Sequence, residues 1–337
     1  MNLSGITLIL LDILLKCRSN PVGTTDCRVS NHLYVCLNDL NHLENLAFED
    51  TTAVQTIDDI ELHIESLDIT DTSEKSFHDV RNATALYMSD NRLRLIRKYY
   101  FHALDQLTYL DLKNNDITEI EDGAFVRVSS LETLLLDGNR ITRLGPTIWK
   151  GLTSLRELYA TNNSIVLRKN IFRGLRQLET LALDANEITD IPTGTFNALP
   201  HMDLLYLSRN EITSLHQDLF RGLTELNELD LSRNRITSIP TGLFRNMASL
   251  DSLWINANRI GSLQAGCFEG LEGLSFLFLS GNELESVDMS IFEMMGKVSI
   301  EPGFIIDGTL SVNLTIVKGF VRCESTGSQE PYSCEEV

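Results

Sequence analysis

A chain of 337 residues, 43% of them hydrophobic and spread evenly, carries enough apolar matter for one continuous core, and its 20 glycines and 7 prolines exclude a low-complexity chain. The formal charge of -19 opposes nucleic acid or an anionic membrane as partner, because displacing counterions from phosphates takes clustered Lys and Arg. Basic or neutral surfaces are the expected partners.

The N-terminus reads MNLSGITLILLDILLKCRSN, with an apolar stretch from Ile6 to Leu15 that is too short to cross a bilayer and has the length of a secretory h-region. Residues 1–19 are therefore expected to be a signal peptide, although Asp12 interrupts the stretch and no Lys or Arg precedes it. No later stretch approaches the roughly 20 uninterrupted apolar residues of a membrane-spanning helix. Residues 20–60 are expected to form a leading cap that contains Cys27 and Cys36.

From residue 61 to 297 the chain repeats itself. Asparagines stand at Asn91, Asn115, Asn139, Asn163, Asn186, Asn210, Asn234, Asn258 and Asn282, a step of 24 broken once by 23. Five and three residues before each lie apolar pairs, from Leu86 and Met88 to Leu277 and Leu279, with Ala160 as the one small member. Two residues after each comes Leu or Ile, and further on one aromatic: Phe101, Phe125, Trp149, Phe172, Phe196, Phe220, Phe244, Phe268 and Phe292. A degenerate earlier unit keeps Leu62, Ile64, Ile69 and Phe77 in register but has Leu67 in place of asparagine, which makes about ten units.

Each fixed letter has a physical reason. Alternating apolar residues place both side chains on one face of a short strand, and strands stacked about 4.8 Å apart form a parallel sheet. The asparagine falls where the strand turns away, and its amide can donate to and accept from the turn backbone of its own and the neighbouring unit, so that a stack of them is mutually satisfied. The aromatic column fills the far side of the coil, where Phe to Ala is expected to cost about 3 to 5 kcal/mol.

These residues carry a resemblance. The pattern LxxLxLxxNxI with its later Phe recurs nine times over residues 83–292, and the chain resembles extracellular leucine-rich-repeat proteins of the 24-residue, phenylalanine-spine type. Variable lymphocyte receptors, Toll-like receptor ectodomains, Slit proteins and small matrix proteoglycans share that layout. The resemblance implies an α/β solenoid: a curved horseshoe with a parallel concave β-sheet and an irregular or short helical convex side. It also implies a cysteine-rich N-terminal cap, to which a Cys27–Cys36 disulfide would correspond. The usual C-terminal cap is absent, so residues 298–337 are expected to form an atypical, β-rich cap in which Cys323 and Cys334 could pair. Cys17 leaves with the signal or pairs locally, and Cys267 reads as a buried free thiol. Asn82, Asn162 and Asn313 are sequons, as expected of an exported glycoprotein.

The freely varying letters should carry function. Outward strand positions hold Tyr87, Asp111, Tyr159, Tyr206, Asp230, Trp254 and Phe278, and two residues earlier Tyr109, Leu204 and Phe276, with Arg209 and Arg233 flanking. Aromatic anchors beside charges have the composition of a protein-binding hot spot. Tyr206, Leu204, Trp254, Phe276 and Phe278 are expected to exceed, together, the roughly 300 to 600 Å² of a monomer's largest exposed apolar patch. The seven histidines are scattered, no Ser, His and Asp set is recognisable and no GxxxxGK[ST] loop is present. Neither an enzyme nor a cofactor or metal site is expected. The reading is a secreted or cell-surface protein that takes a protein or glycan ligand on its concave face, in immune recognition or adhesion. The alternatives are an extracellular-matrix scaffold and an intracellular adaptor, and self-association as a homodimer is left open.

Overall fold

A computed structural model describes residues 60–284 throughout, residues 41 and 291, and the backbone of flanking strands at Asp26–Ser30, Leu33–Leu37, His42–Phe48, Lys297–Ile300, Phe304–Ile306, Leu310–Val317 and Phe320–Ser325. The expected signal segment, Cys17, Phe292 and Cys334 lie outside the described residues.

The 24-residue period becomes a stack of coils. Short strands Ala83–Tyr87, Tyr109–Asp111, Thr133–Leu135, Glu157–Tyr159, Thr180–Ala182, Leu204–Tyr206, Glu228–Asp230, Ser252–Trp254 and Phe276–Phe278 pair in parallel, each with its sequence neighbour, within a 14-stranded sheet. Register is exact by repeat position: Leu110 lies opposite Leu134, Leu134 opposite Leu158, and Leu158 opposite Leu181. The 23-residue unit is thus absorbed without a slip in the sheet. Slippage by one residue would turn Leu158 and its equivalents outward, and the buried face forbids it.

The inner leucines are fully buried, as are the aromatics of the far side, Phe77, Phe101, Phe125, Phe172, Phe196, Phe220, Phe244 and Phe268. Trp149 takes a Phe place and donates its indole N–H to the Ile171 carbonyl at 2.8 Å, which satisfies the one polar atom it brings into the core. Aromatic ring centroids in successive coils lie 6.0 to 6.4 Å apart. Strands on the opposite side pair at about 4.8 Å. A stack that is wider on its aromatic side than on its sheet side must curve, with the sheet concave. Among the described residues the convex side is built of turns and of one two-strand ladder, Leu95–Ile96 with Glu119–Ile120, rather than of helices.

The asparagine ladder works through backbone. Asn115 Nδ2 donates to Met88 O of the preceding coil at 2.9 Å and to Leu112 O of its own at 3.2 Å, while its Oδ1 accepts from the Leu93 N–H at 3.0 Å. The same set recurs at Asn91, Asn139, Asn163, Asn186, Asn210, Asn234 and Asn258. The stack is satisfied through the turn backbone of its own and the neighbouring coil, as expected of its amides.

The residue before each ladder asparagine must adopt positive φ to let the strand turn. Asp90, Asn114, Asn162, Ala185, Arg209, Arg233 and Ala257 all lie at φ between 51 and 56°, with Gly138 and Gly281 at 66°. Asp, Asn and Gly tolerate this region best, which explains five of the nine letters.

At the N-terminal end the backbone of Asp26–Ser30, Leu33–Leu37 and His42–Phe48 forms an antiparallel meander whose last strand pairs in parallel with Asp71–Thr72. Its register places Cys27 directly opposite Cys36. At the other end Lys297–Ile300 continues the parallel sheet, and Phe304–Ile306, Leu310–Val317 and Phe320–Ser325 add antiparallel partners. Cys267 is buried and free, and burial pushes its thiol up to about 12.

Asn186 is 1% exposed, and Asn186→Ala would strip partners from Ile165 N, Ala160 O and Leu183 O. At about 1 to 3 kcal/mol for each buried group left unmade, the variant is expected to lose at least about 3 kcal/mol in urea unfolding. The exposed neighbour Thr189→Ala should stay within about 0.5 kcal/mol of the parent. Equal midpoints for the two variants would remove the ladder's assigned role.

Candidate functional site

Two columns of side chains stand outward from the sheet on its concave face, and the structure divides the expected patch into separate parts. At one end His63 stacks on Tyr87 with centroids 4.3 Å apart and 6° between planes, and Tyr87 meets Tyr109 at 5.1 Å. Glu61 and Glu65 flank His63 at 3.4 and 3.0 Å. At the other end Trp254 lies flat on Phe278, 5.2 Å apart with 10° between planes. Phe276, on the Phe278 strand, is 47% exposed, among the most exposed large apolar side chains of the described residues.

Leu204 and Tyr206 do not join that second cluster. Their strand pairs with Glu228–Asp230, which in turn pairs with Ser252–Trp254, so an acidic strand lies between them and Trp254. A single continuous apolar patch is therefore not formed. Tyr206 instead donates its hydroxyl to Glu228 Oε2 at 2.8 Å, and burial first, then Glu228, holds its phenol well above the ordinary range. Burial likewise pushes Tyr109 up to about 12 and raises Tyr159, with Glu157 second among the causes for Tyr159. Ring edges are thus half-buried and their hydroxyls stay protonated, so the tyrosines act as hydrogen-bonding apolar surface.

Carboxylates fill the face between the two aromatic clusters. Asp111 is only 9% exposed, and its Oδ1 accepts from the Lys113 N–H at 2.9 Å. Asp137 accepts from the N–H and hydroxyl of Thr161, and Asp184 from those of Ser208, at 2.6 to 2.9 Å. Asp230 accepts from the Ser232 N–H at 2.7 Å. These acids brace the turn that follows each strand, a role the sequence reading did not assign. Burial foremost raises the carboxyl groups of Asp111, Asp184 and Asp203 above the usual range, and neighbouring acids add to it: Asp137 at Asp111, Asp230 at Asp184 and Glu228 at Asp203. Lys113 neutralises Asp137 at 3.4 Å, while Glu157, Glu228 and Asp230 make no ion pair among the described residues. The concave face is negative as well as aromatic.

Arg209 and Arg233 stand at the turn after the strand, where the rim of the sheet opens into a cavity of about 660 Å³. Asn162 is at the same turn position and is exposed. Asn82 is half-buried before the first regular strand, and Asn313 falls in the strand Leu310–Val317, of which only the backbone is described. Among the described residues no group of three or more His, Cys, Asp or Glu side chains is placed to hold a metal ion, and no helix is long and apolar enough to cross a membrane.

Stacked strand-and-turn coils, a buried asparagine ladder and a concave sheet face with varied side chains define a repeat solenoid. The family model for the leucine rich repeat matches residues 61–117, 105–165, 176–236 and 224–284, more than half of the chain. The chain belongs to the leucine-rich-repeat family. Among solved structures it is similar to TLR13 in complex with a single-stranded RNA, at 25% identity and a TM-score of 0.59, over 68% of this chain and 37% of that one. A leucine-rich-repeat protein of Leptospira interrogans aligns at 22% identity and a TM-score of 0.56, over 76% of this chain and 70% of that one. Toll of Drosophila, in its complex with Spatzle, aligns at 18% and 0.59, over 82% and 47%. The latter two share the fold alone, and the chain spans less than half the length of the two Toll-type structures. No curated protein matches it in sequence.

Cys27 opposite Cys36 and an exposed Asn162 give the expectation of export a direct check. Peptide mass spectrometry of the chain secreted from animal cells is expected to find a Cys27–Cys36 bridge and a glycan on Asn162 or Asn82. Free thiols at both cysteines together with bare sequons would contradict export through the secretory pathway.

Proposed function

We propose that this protein is a secreted or cell-surface recognition protein that binds a protein ligand on its concave sheet, with no catalytic step. One observation carries the reading. Trp254 and Phe278 lie flat against each other on the outer side of the sheet, and Phe276, on the Phe278 strand, is 47% exposed. Large aromatics held rigid by stacking lose little entropy on binding and are the residue types on which interface energy concentrates. The acids of the neighbouring strands, Glu228 and Asp230, favour a ligand with Lys or Arg around an apolar centre, and they disfavour an anionic glycan at this surface. Similarity in fold to Toll-type ectodomains, one with a protein ligand in its complex, is consistent with a ligand-binding role.

The concave reading is tested with peptides selected from a displayed library on the wild-type chain. The selected sequences are expected to combine basic and aromatic residues. They are expected to bind Trp254→Ser/Phe278→Ser at least about 100-fold more weakly, since each anchor contributes on the order of 2 kcal/mol. Circular dichroism of the double variant should match the parent, both side chains being outside the core. Undiminished binding to a folded double variant would show that the working surface is elsewhere.

A further inference from the structure

The cavity at the turn rim is a second site, independent of the concave reading. It is lined by Arg209, Arg233, Arg235 and Arg259 together with Glu187 and Glu211. The repeat explains the array. Arg209 and Arg233 each precede a ladder asparagine, Arg235 and Arg259 each follow one, and the three coils involved are consecutive. Equivalent backbone positions in adjacent coils are about 5 Å apart, which brings the four arginines to one stretch of the rim.

Three of these arginines are left without a partner among the described residues, while others beside the ladder asparagines are paired. Elsewhere in the column after the asparagine, Arg92 pairs with Asp68 and Arg140 with Asp116, each at 2.8 Å across one coil. In the cavity only Arg235 is so paired, with Glu211 at 2.6 Å. The guanidinium groups of Arg209, Arg233 and Arg259 make no hydrogen bond or ion pair among the described residues, in a chain whose net charge is -19. Arg209 and Arg233 hold φ of 54 and 55°, as Ala185 and Ala257 of the flanking coils do at 54 and 52°, so the turn itself places these side chains at the rim.

We propose that this rim cavity is an anion site for a compact ligand bearing two or more sulfate or phosphate ester groups. Guanidinium forks match tetrahedral oxyanions bidentately, and four arginines from three consecutive coils can engage more than one such group. The size of the ligand follows from the surroundings. Glu187 and Glu211 also line the cavity and the neighbouring concave face is negative, so a long polyphosphate chain would be repelled beyond the four arginines.

The test is calorimetry of the full chain near physiological ionic strength, with inositol hexakisphosphate as the phosphate probe, sucrose octasulfate as the sulfate probe and a thymidine oligonucleotide as the polymer probe. One or both compact probes are expected to bind with a stoichiometry of one, and whichever is tighter identifies the ester. Arg209→Gln/Arg233→Gln/Arg259→Gln, all at exposed positions, is expected to weaken that binding at least about 30-fold. Arg92→Gln/Arg140→Gln, in the same column but outside the cavity, and Trp254→Ser/Phe278→Ser should each leave it within about twofold. The proposal is overturned if neither compact probe binds below about 1 mM, if the triple variant binds as well as the parent, or if the oligonucleotide binds more tightly than both.

Discussion

One buried amide per coil holds this molecule together. The ladder asparagine accepts an N–H of the turn in the coil before it and donates to carbonyls of both coils, so it ties together backbone that no regular sheet or helix could satisfy. Its position forces the preceding residue into the left-handed region, and that sharp turn lets one strand end while the chain sets off across the convex side. Stacked leucines supply most of the burial, but burial alone has no direction. The amide fixes the register in which the leucines are stacked.

That constraint divides the residues by role. Positions inside the coil are committed to leucine, isoleucine and the aromatic column, and their spacing of 6.0 to 6.4 Å on the outer side against about 4.8 Å at the sheet gives the curvature. Residues on the concave face and at the turn rim are left to vary. The two surfaces have diverged in charge. Burial and mutual repulsion raise the carboxyl groups of Asp111, Asp184 and Asp203 on the face, while the rim a few ångströms away gathers four arginines. A solenoid can carry such opposed surfaces side by side because each coil contacts only its neighbours, and a change on one surface is not propagated to the other.

Much of this was legible in the sequence, for a specific reason. A period of 24 makes every core assignment nine times over, so Leu110, Asn115 and Phe125 are read from their equivalents rather than from local propensity. The outward direction of Trp254 and Phe278 followed from alternation along the strand. Adjacency across strands was misjudged. Leu204 and Tyr206 looked continuous with Trp254 until the Glu228–Asp230 strand was placed between them, although the repeat order already contained that fact. Arg209 and Arg233 were read as flanks of the concave face, and the rim cavity they line was not legible, because a strand pattern does not describe the turn that follows. Arg235 and Arg259 were not singled out, since the column after the asparagine looks like a row of solvated charges until its ion pairs are counted. The stacking of His63 on Tyr87 involves the degenerate first unit, where the pattern is weakest.

The central claim concerns the ladder, and hydrogen exchange followed by NMR or mass spectrometry addresses it directly. The N–H groups of Leu93, Ile117, Ile141, Ile165, Ile188, Ile212, Ile236 and Ile260 each donate to a ladder asparagine at 2.9 to 3.1 Å. All eight are expected to exchange as slowly as the strand amides, at rates set by cooperative opening of the stack. Fast exchange at these amides in a chain whose strands stay protected would mean that leucine packing alone holds the coils and that the asparagines are ornaments of the turn.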